Sequence, residues 1–353
     1  MTYSLENKCS GSYFAAQNSY HGFINHFGEV FKSDKYNRIF VLKGGPGTGK
    51  SSFMKALSAE LSKVSEVTDI YCSSDTKSLD GVIAKSKNSV IAILDGTAPH
   101  ERDAVIAGAV DELVNLGEHW DTNKLVKQRE EIIALNTQKA NYYKEAYSHL
   151  SIAGKYKDLL CNEVLSKFDT FRAKAYVGNL CHGNTNKNKV SRTLLLSAFG
   201  KDGYQSIPNP LLHYKNKVQI TGEYFSSELF MKILCQELTR LNIEHIEFPS
   251  PLSHETTETV VIKDSDTSFC YTLLPCEEKL SADSFMRNLN TVKIQLCHYD
   301  QMRKKEEDLA ISAFAKASST HFALEKIYTP LMNFDMISET REKIKKKALQ
   351  ILE

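Results

Sequence analysis

Gly44-Gly45-Pro46-Gly47-Thr48-Gly49-Lys50-Ser51 is the stretch on which the reading of this chain turns. It satisfies the pattern G-x-x-x-x-G-K-[ST] at every required position. The apolar run Ile39-Phe40-Val41-Leu42 precedes it, and Phe53, Met54, Leu57 and Leu61 follow at helical spacing. The pattern predicts a strand over 38–43 and a helix over 50–63, with the octapeptide as the loop between them. In that context glycines let the backbone curl around an anion, successive N–H groups point inward, and the helix start adds its positive end. Gly44, Gly45, Gly47, Thr48, Gly49, Lys50, Ser51 and Ser52 are the expected contacts to a nucleotide. Lys50 is expected at the β- and γ-phosphates, and Ser51 offers its hydroxyl to Mg²⁺.

Outward from the loop, Val67–Cys72 reads as a second strand, Leu79–Ala84 as a short helix and Ser89–Leu94 as a third strand. Strands alternating with helices imply a parallel sheet. The third strand closes in Asp95, 45 residues after Lys50. A strand of that kind carries its terminal acid to the carboxyl edge of the sheet, where Asp95 would support Mg²⁺ together with Ser51. No Glu follows Asp95 directly, so the water-activating base is open among His100, Glu101 and Asp103. His100 is the candidate for orienting water or sensing phosphate. Arg102 and Arg129 are candidates for a charge-neutralising finger in cis. Ser73-Ser74-Asp75 reads as a capping turn or, alternatively, as part of an acceptor pocket.

The chain has 353 residues, 42% apolar and 25% charged, ordinary values for a protein with a large core. Its formal net charge of +1 gives no electrostatic case for nucleic acid or a membrane surface. No apolar run approaches the ~18 residues of a membrane span. The start of the chain lacks a signal pattern. The eight cysteines are scattered without C-x-x-C pairs, and Cys181-His182 is too isolated to indicate a metal. Reduced thiols in a cytoplasmic protein are expected.

From Asp121 to Ala175 apolar residues recur at helical spacing, including Leu125, Ile133, Tyr143, Tyr147, Leu150, Tyr156, Leu160, Val164 and Phe171. The segment reads as an antiparallel pair of long helices broken near Gly154, its aromatic stripe forming helix–helix core. His182–Lys189 reads as a polar linker between a first domain, 1–180, and a second, 190–353.

The second domain replays the first. Phe53-Met54-Lys55 returns 177 residues later as Phe230-Met231-Lys232, again after an apolar strand, Lys217–Thr221. Ile246–Phe248 and Thr259–Ile262 mimic the second and third strands. Leu280–Leu352 repeats the long-helix composition, with a break near Ser318-Ser319. The loop itself is eroded: Gly222-Glu223-Tyr224-Phe225-Ser226-Ser227-Glu228 has no Lys before a hydroxyl residue, and its acids would repel a triphosphate. The fold class expected is α/β, with two P-loop NTPase-like parallel-sheet halves, each followed by long helices, the second carrying a degenerate loop.

The strings FVLKGGPGTGKSSFMK (Phe40–Lys55), ILDGTAPHERD (Ile93–Asp103) and AGAVDELVNLGEHWD (Ala107–Asp121), with Leu194–Phe199, resemble an uncharacterised bacterial family of duplicated P-loop ATPases. The resemblance implies ATP binding in the cytoplasm and two P-loop-like halves. Members can carry an intact loop in each half, so this chain departs from them at Gly222–Glu228.

Three functions are compatible with these residues. One is Mg²⁺-dependent ATP hydrolysis or phosphoryl transfer at a single site. Another is an ATP-binding regulatory module with negligible turnover whose helical arms engage a protein partner. The third is a small-molecule kinase. No N-K-x-D motif is found, which favours ATP over GTP. The lysines 343 and 345–347 read as a solvated helix end.

Overall fold

The run Ile39–Leu42 alternates between two buried surfaces. Ile39 and Val41 join one core and Phe40 and Leu42 another, and all four are fully buried. The computed structural model describes residues 11–180, 190–192, 194–207, 214–262, 266–271 and 278–353. Cys9, Cys181, His182, the linker to Lys189, Asp264 and Cys276 lie outside the described residues.

The first half runs β1 (Gly11–Phe14), β2 (Ala16–Ser19), β3 (Gly22–Asn25), the single turn α1 (Phe27–Val30), β4 (Arg38–Lys43), α2 (Lys50–Leu61), β5 (Glu66–Tyr71), β6 (Leu79–Lys85), β7 (Val90–Asp95), β8 (Asp111–Asn115), α3 (Thr122–Lys127), α4 (Arg129–Lys167) and α5 (Thr170–Leu180). The second runs β9 (Val190–Arg192), β10 (Ser197–Gly200), β11 (Gly203–Ser206), β12 (Asn216–Thr221), α6 (Ser226–Arg240), β13 (His245–Ser250), β14 (Ser253–Ile262), β15 (Thr267–Cys270), β16 (Glu278–Ser281), α7 (Lys293–Tyr328) and α8 (Phe334–Leu352).

The two six-stranded sheets have the same order, β1-β5-β6-β7-β4-β8 and β9-β13-β14-β15-β12-β16. Every neighbouring pair is parallel except those made by β6 and β14, which run antiparallel to both neighbours. The architecture is therefore mixed α/β with parallel-containing sheets and long helices.

Three local expectations are corrected. Leu79–Ala84 is strand β6, not a helix. Its connections to β5 and β7 are too short for a crossover, so it pairs antiparallel with both, and the sheet is mixed. Thr259–Ile262 belongs to β14, the counterpart of β6; the counterpart of β7 is β15. The arms are not broken at Gly154 or Ser318-Ser319. Helix α4 runs through Gly154, which is small because Tyr20 packs there: an added Cβ would stand 2.8 Å from the Tyr20 Cβ. Helix α7 runs through Ser318-Ser319 and ends at Thr329-Pro330-Leu331.

The antiparallel partner of α4 is α7. Ala146, Leu150 and Ala153 of α4 pack with Ala310, Ala313 and Phe314 of α7, all buried, and His149 Nδ1 lies 2.7 Å from Glu306 Oε2. Beyond this crossing each arm ends in the opposite half. Ala173 and Val177 of α5 share a core with Phe230 and Leu234 of α6. Ile337, Ile344, Ala348 and Leu352 of α8 share a core with Phe53 and Leu57 of α2. A further core joins Ile39, Val41, Ile70 and Leu94 of the first sheet to Ile246, Phe248 and Val261 of the second.

The two junctions are built alike. Asp121 N–H donates to Leu331 O and Asn333 N–H to His119 O; Arg287 N–H donates to Lys167 O and Asp169 N–H to Phe285 O. Phe168 pairs with Met286 as Met332 pairs with Trp120. Residues equally far from the junctions correspond: Leu160 with Leu324, Ala153 with Ala317, Leu150 with Phe314 and Ala146 with Ala310, every one buried.

This exchange makes a prediction. Ile344→Ala, in the second repeat, is expected to cost roughly 2–5 kcal/mol by opening the core of the first half around Phe53 and Leu57. The sole tryptophan, Trp120, packs against the α7–α8 junction. Chemical denaturation followed by its fluorescence measures the loss; an unchanged midpoint would contradict the exchange.

Candidate functional site

Strand β4 delivers the loop 44–49 and α2 leaves it. Two of its glycines are required by backbone conformation. Gly47 (φ 72°) and Gly49 (φ 78°) are left-handed, and a Cβ on Gly47 would meet Thr329 Oγ1 at 2.8 Å. Thr48 is buried and its hydroxyl donates to Gly45 O at 2.9 Å, bracing the turn. Lys50 Nζ donates to Gly44 O at 2.5 Å and Gly45 O at 3.1 Å, and it lies 3.6 Å from Asp95 Oδ2. Ser51 Oγ accepts from Leu79 N–H at 3.0 Å. Ser52 is exposed on the first turn of α2.

Asp95 ends β7, beside β4. Its Oδ1 accepts from Thr97 N–H at 2.9 Å and Thr97 Oγ1–H at 2.6 Å. Burial pushes its carboxyl above the usual range; Lys50 and Thr97 oppose that shift, and Asp80 adds repulsion. Lys50 and Asp95 thus meet at the carboxyl edge of the sheet, with the Ser51 hydroxyl held at the start of β6.

Other anticipated residues have different places. His100 is buried, stacked on Phe27 with ring centroids 4.4 Å apart. Its Nε2 lies 3.0 Å from Asp80 Oδ2. His100 therefore backs onto Asp80, within a buried aromatic setting. Asp80 itself was hidden in the stretch read as a helix. It sits next to Leu79, whose amide meets Ser51, and its charge is felt by Asp95. An acid beside an apolar run too short for a helix was the available signal.

Arg102 is committed to structure. Its Nη2 donates to Ser33 Oγ at 2.9 Å and to Asp111 Oδ1 at 3.1 Å, both buried. Arg129 is exposed and pairs with Glu130 at 3.3 Å. Asp103 pairs with Lys43 at 2.8 Å, and Glu101 is exposed. Ser73-Ser74-Asp75 lies in the turn between β5 and β6, where Asp75 accepts from Lys77 N–H at 3.3 Å and lies 3.3 Å from Lys201 Nζ.

Residues from both arms close over the loop. Thr329 stands against Gly47, Phe334 against Gly49 and the Trp120 ring against Gly45. From α7, Glu325 lies 3.5 Å from His321, and the hydrogen bond from His321 holds its carboxyl low against burial, with Lys50 helping. From α4, Lys139 has its ammonium pushed down by burial and then by Lys50.

The second loop is self-contained. Glu223 N–H donates to Asp283 Oδ1 at 3.1 Å and Ser226 Oγ–H to the same oxygen at 2.6 Å. Lys157 Nζ lies 2.8 Å from Glu228 Oε2. A cavity of about 460 Å³ beside it is lined by Glu223, Tyr271, Asp300, Arg303 and Lys304 among others.

Among the described residues no cluster of three or more His, Cys, Asp or Glu side chains forms a ready-made metal site. No helix among them is long and apolar enough to cross a membrane. Cys72, Cys161, Cys235, Cys270 and Cys297 are free thiols. Lys347 pairs with Glu112 at 2.6 Å. Comparison of the chain with protein-family models, with curated proteins and with solved structures finds no match.

The buried acid gives a pH prediction. A carboxyl whose folded pKa is raised disfavours folding once it ionises, so its cost grows as pH rises through the usual Asp range. Asp95→Asn is therefore expected to raise the thermal midpoint of the ligand-free protein at pH 7, with the gain shrinking toward pH 4. Thermal unfolding across that range checks it; a lower midpoint at pH 7 would contradict the assignment.

Proposed function

We propose that the chain binds ATP with Mg²⁺ at the loop 44–51 and cleaves or transfers the terminal phosphoryl group, at one site per chain. The observation that carries this reading is the approach of Lys50 Nζ to Asp95 Oδ2, 3.6 Å apart at one sheet edge, beside Ser51 at the start of α2. Lys50 Nζ sits on the loop carbonyls of Gly44 and Gly45, which places its charge at the loop where a phosphate would bind. Ser51 and Asp95 supply the hard oxygen donors that suit Mg²⁺, which takes most of its other ligands from phosphate and water. Bound there, the ion would neutralise charge on the phosphate oxygens.

The remaining work falls to this chain's own groups. Loop amides and Lys50 orient the phosphates, and rate enhancement comes from positioning and charge stabilisation. Asp80, beside Ser51 and Asp95, is assigned to accept the proton of the attacking water or acceptor hydroxyl. His100 is a positioning residue that holds Asp80 from behind. The shared strand order of the two sheets supports reading both halves as P-loop-like, the second without a working loop, in keeping with the resemblance to duplicated P-loop ATPases.

A second reading, ATP as a switch ligand sensed by the arms, is favoured by the contacts of Gly47 and Gly49 with Thr329 and Phe334. Single-turnover assays separate the two: hydrolysis well above the protein-free background supports the enzyme, and tight binding without it supports the switch. Lys50→Ala is expected to abolish ATP binding and turnover, measured by calorimetry and phosphate release. Parent-like behaviour of that variant would overturn the site. Asp80→Asn is expected to lower turnover about 10²-fold or more with nucleotide affinity retained.

A further inference from the structure

The two loops are faced by corresponding pieces of the arms, and the correspondence exposes a difference in charge. Measured from the junctions, Lys139 of α4 corresponds to Arg303 of α7, Asn136 to Asp300, and Tyr143 to Glu307. In the short turns after β8 and β16, Gly117 corresponds to Asp283. In the loop helices, aligned on Phe53 and Phe230, Ser51 corresponds to Glu228.

At the second loop the arm cation is neutralised by the protein. The Arg303 guanidinium stands 5.0 Å from the Phe225 ring, in the loop just before α6. Arg303 pairs with Asp300 at 2.7 Å and with Glu307 at 2.5 Å. Glu228 takes the buried Lys157, and Asp283 takes the loop amide. The protein thus supplies its own anions to this loop.

At the first loop each of those four carboxylates has a neutral counterpart: Asn136, Tyr143, Ser51 and Gly117. The cation remains. Lys139 has no carboxylate partner within 4 Å among the described residues, and it is close enough to Lys50 for the two charges to repel. Lys50 has Asp95 at 3.6 Å, so Lys139 is the cation left without a paired carboxylate. A bound polyphosphate supplies a partner for it.

We propose that Lys139, carried on the helical arm rather than on the sheet, binds the terminal phosphate of the nucleotide held by the loop 44–51. The ligand's charge there takes the place that Asp300 and Glu307 fill at the second loop. The proposal rests on reading that loop as a nucleotide site.

The test is calorimetric titration of the full chain with Mg-ADP and with the Mg complex of the β,γ-imido analogue of ATP. Lys139→Ala is expected to weaken the analogue about tenfold or more, with ADP changed less than about twofold. Lys139→Arg retains affinity for the analogue. Asn136→Asp, which restores the carboxylate of the second site, weakens the analogue in the same direction. Thermal midpoints at or above that of the parent establish that Lys139→Ala folds, since the substitution removes a repulsion. If the parent binds the analogue through Lys50 while Lys139→Ala matches the parent, or weakens ADP equally, the assignment of Lys139 is overturned and the loop reading stands. If the parent binds neither nucleotide, or Lys50→Ala binds as the parent does, the loop reading falls and Lys139 with it.

Discussion

The close packing of α4 on α7 governs the rest of the molecule. Ala146 and Ala310 correspond to each other and are both fully buried in the core between the arms. Small side chains at that crossing let two helices of 39 and 36 residues approach along their length. Because they run antiparallel, each arm ends beside the half it did not come from. The terminal helices α5 and α8 then complete the opposite cores, so that neither sheet buries its outer face with its own repeat alone.

The exchange shapes the candidate site. The loop at 44–51 is bounded by residues of its own repeat on one side and by Thr329 and Phe334 of the other repeat on the outside. Its charge environment is set by both arms through Lys139 and Glu325. A duplicated sheet with exchanged arms therefore makes two clefts of related geometry and different chemistry. One holds its cations with built-in carboxylates; in the other the matching carboxylates are gone. Burying a charge is costly unless it is paired, so the two clefts solve one electrostatic problem by different means.

Much of the local structure was legible in the sequence because its signals are local. The continuous apolar run of β4, the helical spacing of Phe53, Met54, Leu57 and Leu61, and the acid closing β7 all lie within a few residues of what they specify. Leu79–Ala84 was misread because an apolar run of that length has no distinctive period, and strand pairing with β5 and β7 decided it. Gly154 suggested a break, yet tertiary packing against Tyr20 explains its size without interrupting the helix. Arg102 read as a phosphate partner from its neighbours in sequence, whereas Asp111 and Ser33, distant along the chain, claim it.

The sequence by itself determined the strand and helix that flank the loop, the placing of Asp95 at a strand terminus, and the recurrence of strand and helix in the second half. Backbone propensity, side-chain period and residue identity suffice for these. Only the tertiary structure decided which helix covers which half; it also decided the meeting of Asp80 with His100 and the repulsion that Lys139 feels from Lys50. The physical reason is that α5 and α8 are both amphipathic and periodicity carries no address. The choice of core is made by the crossing of the arms, a contact between residues more than a hundred positions apart.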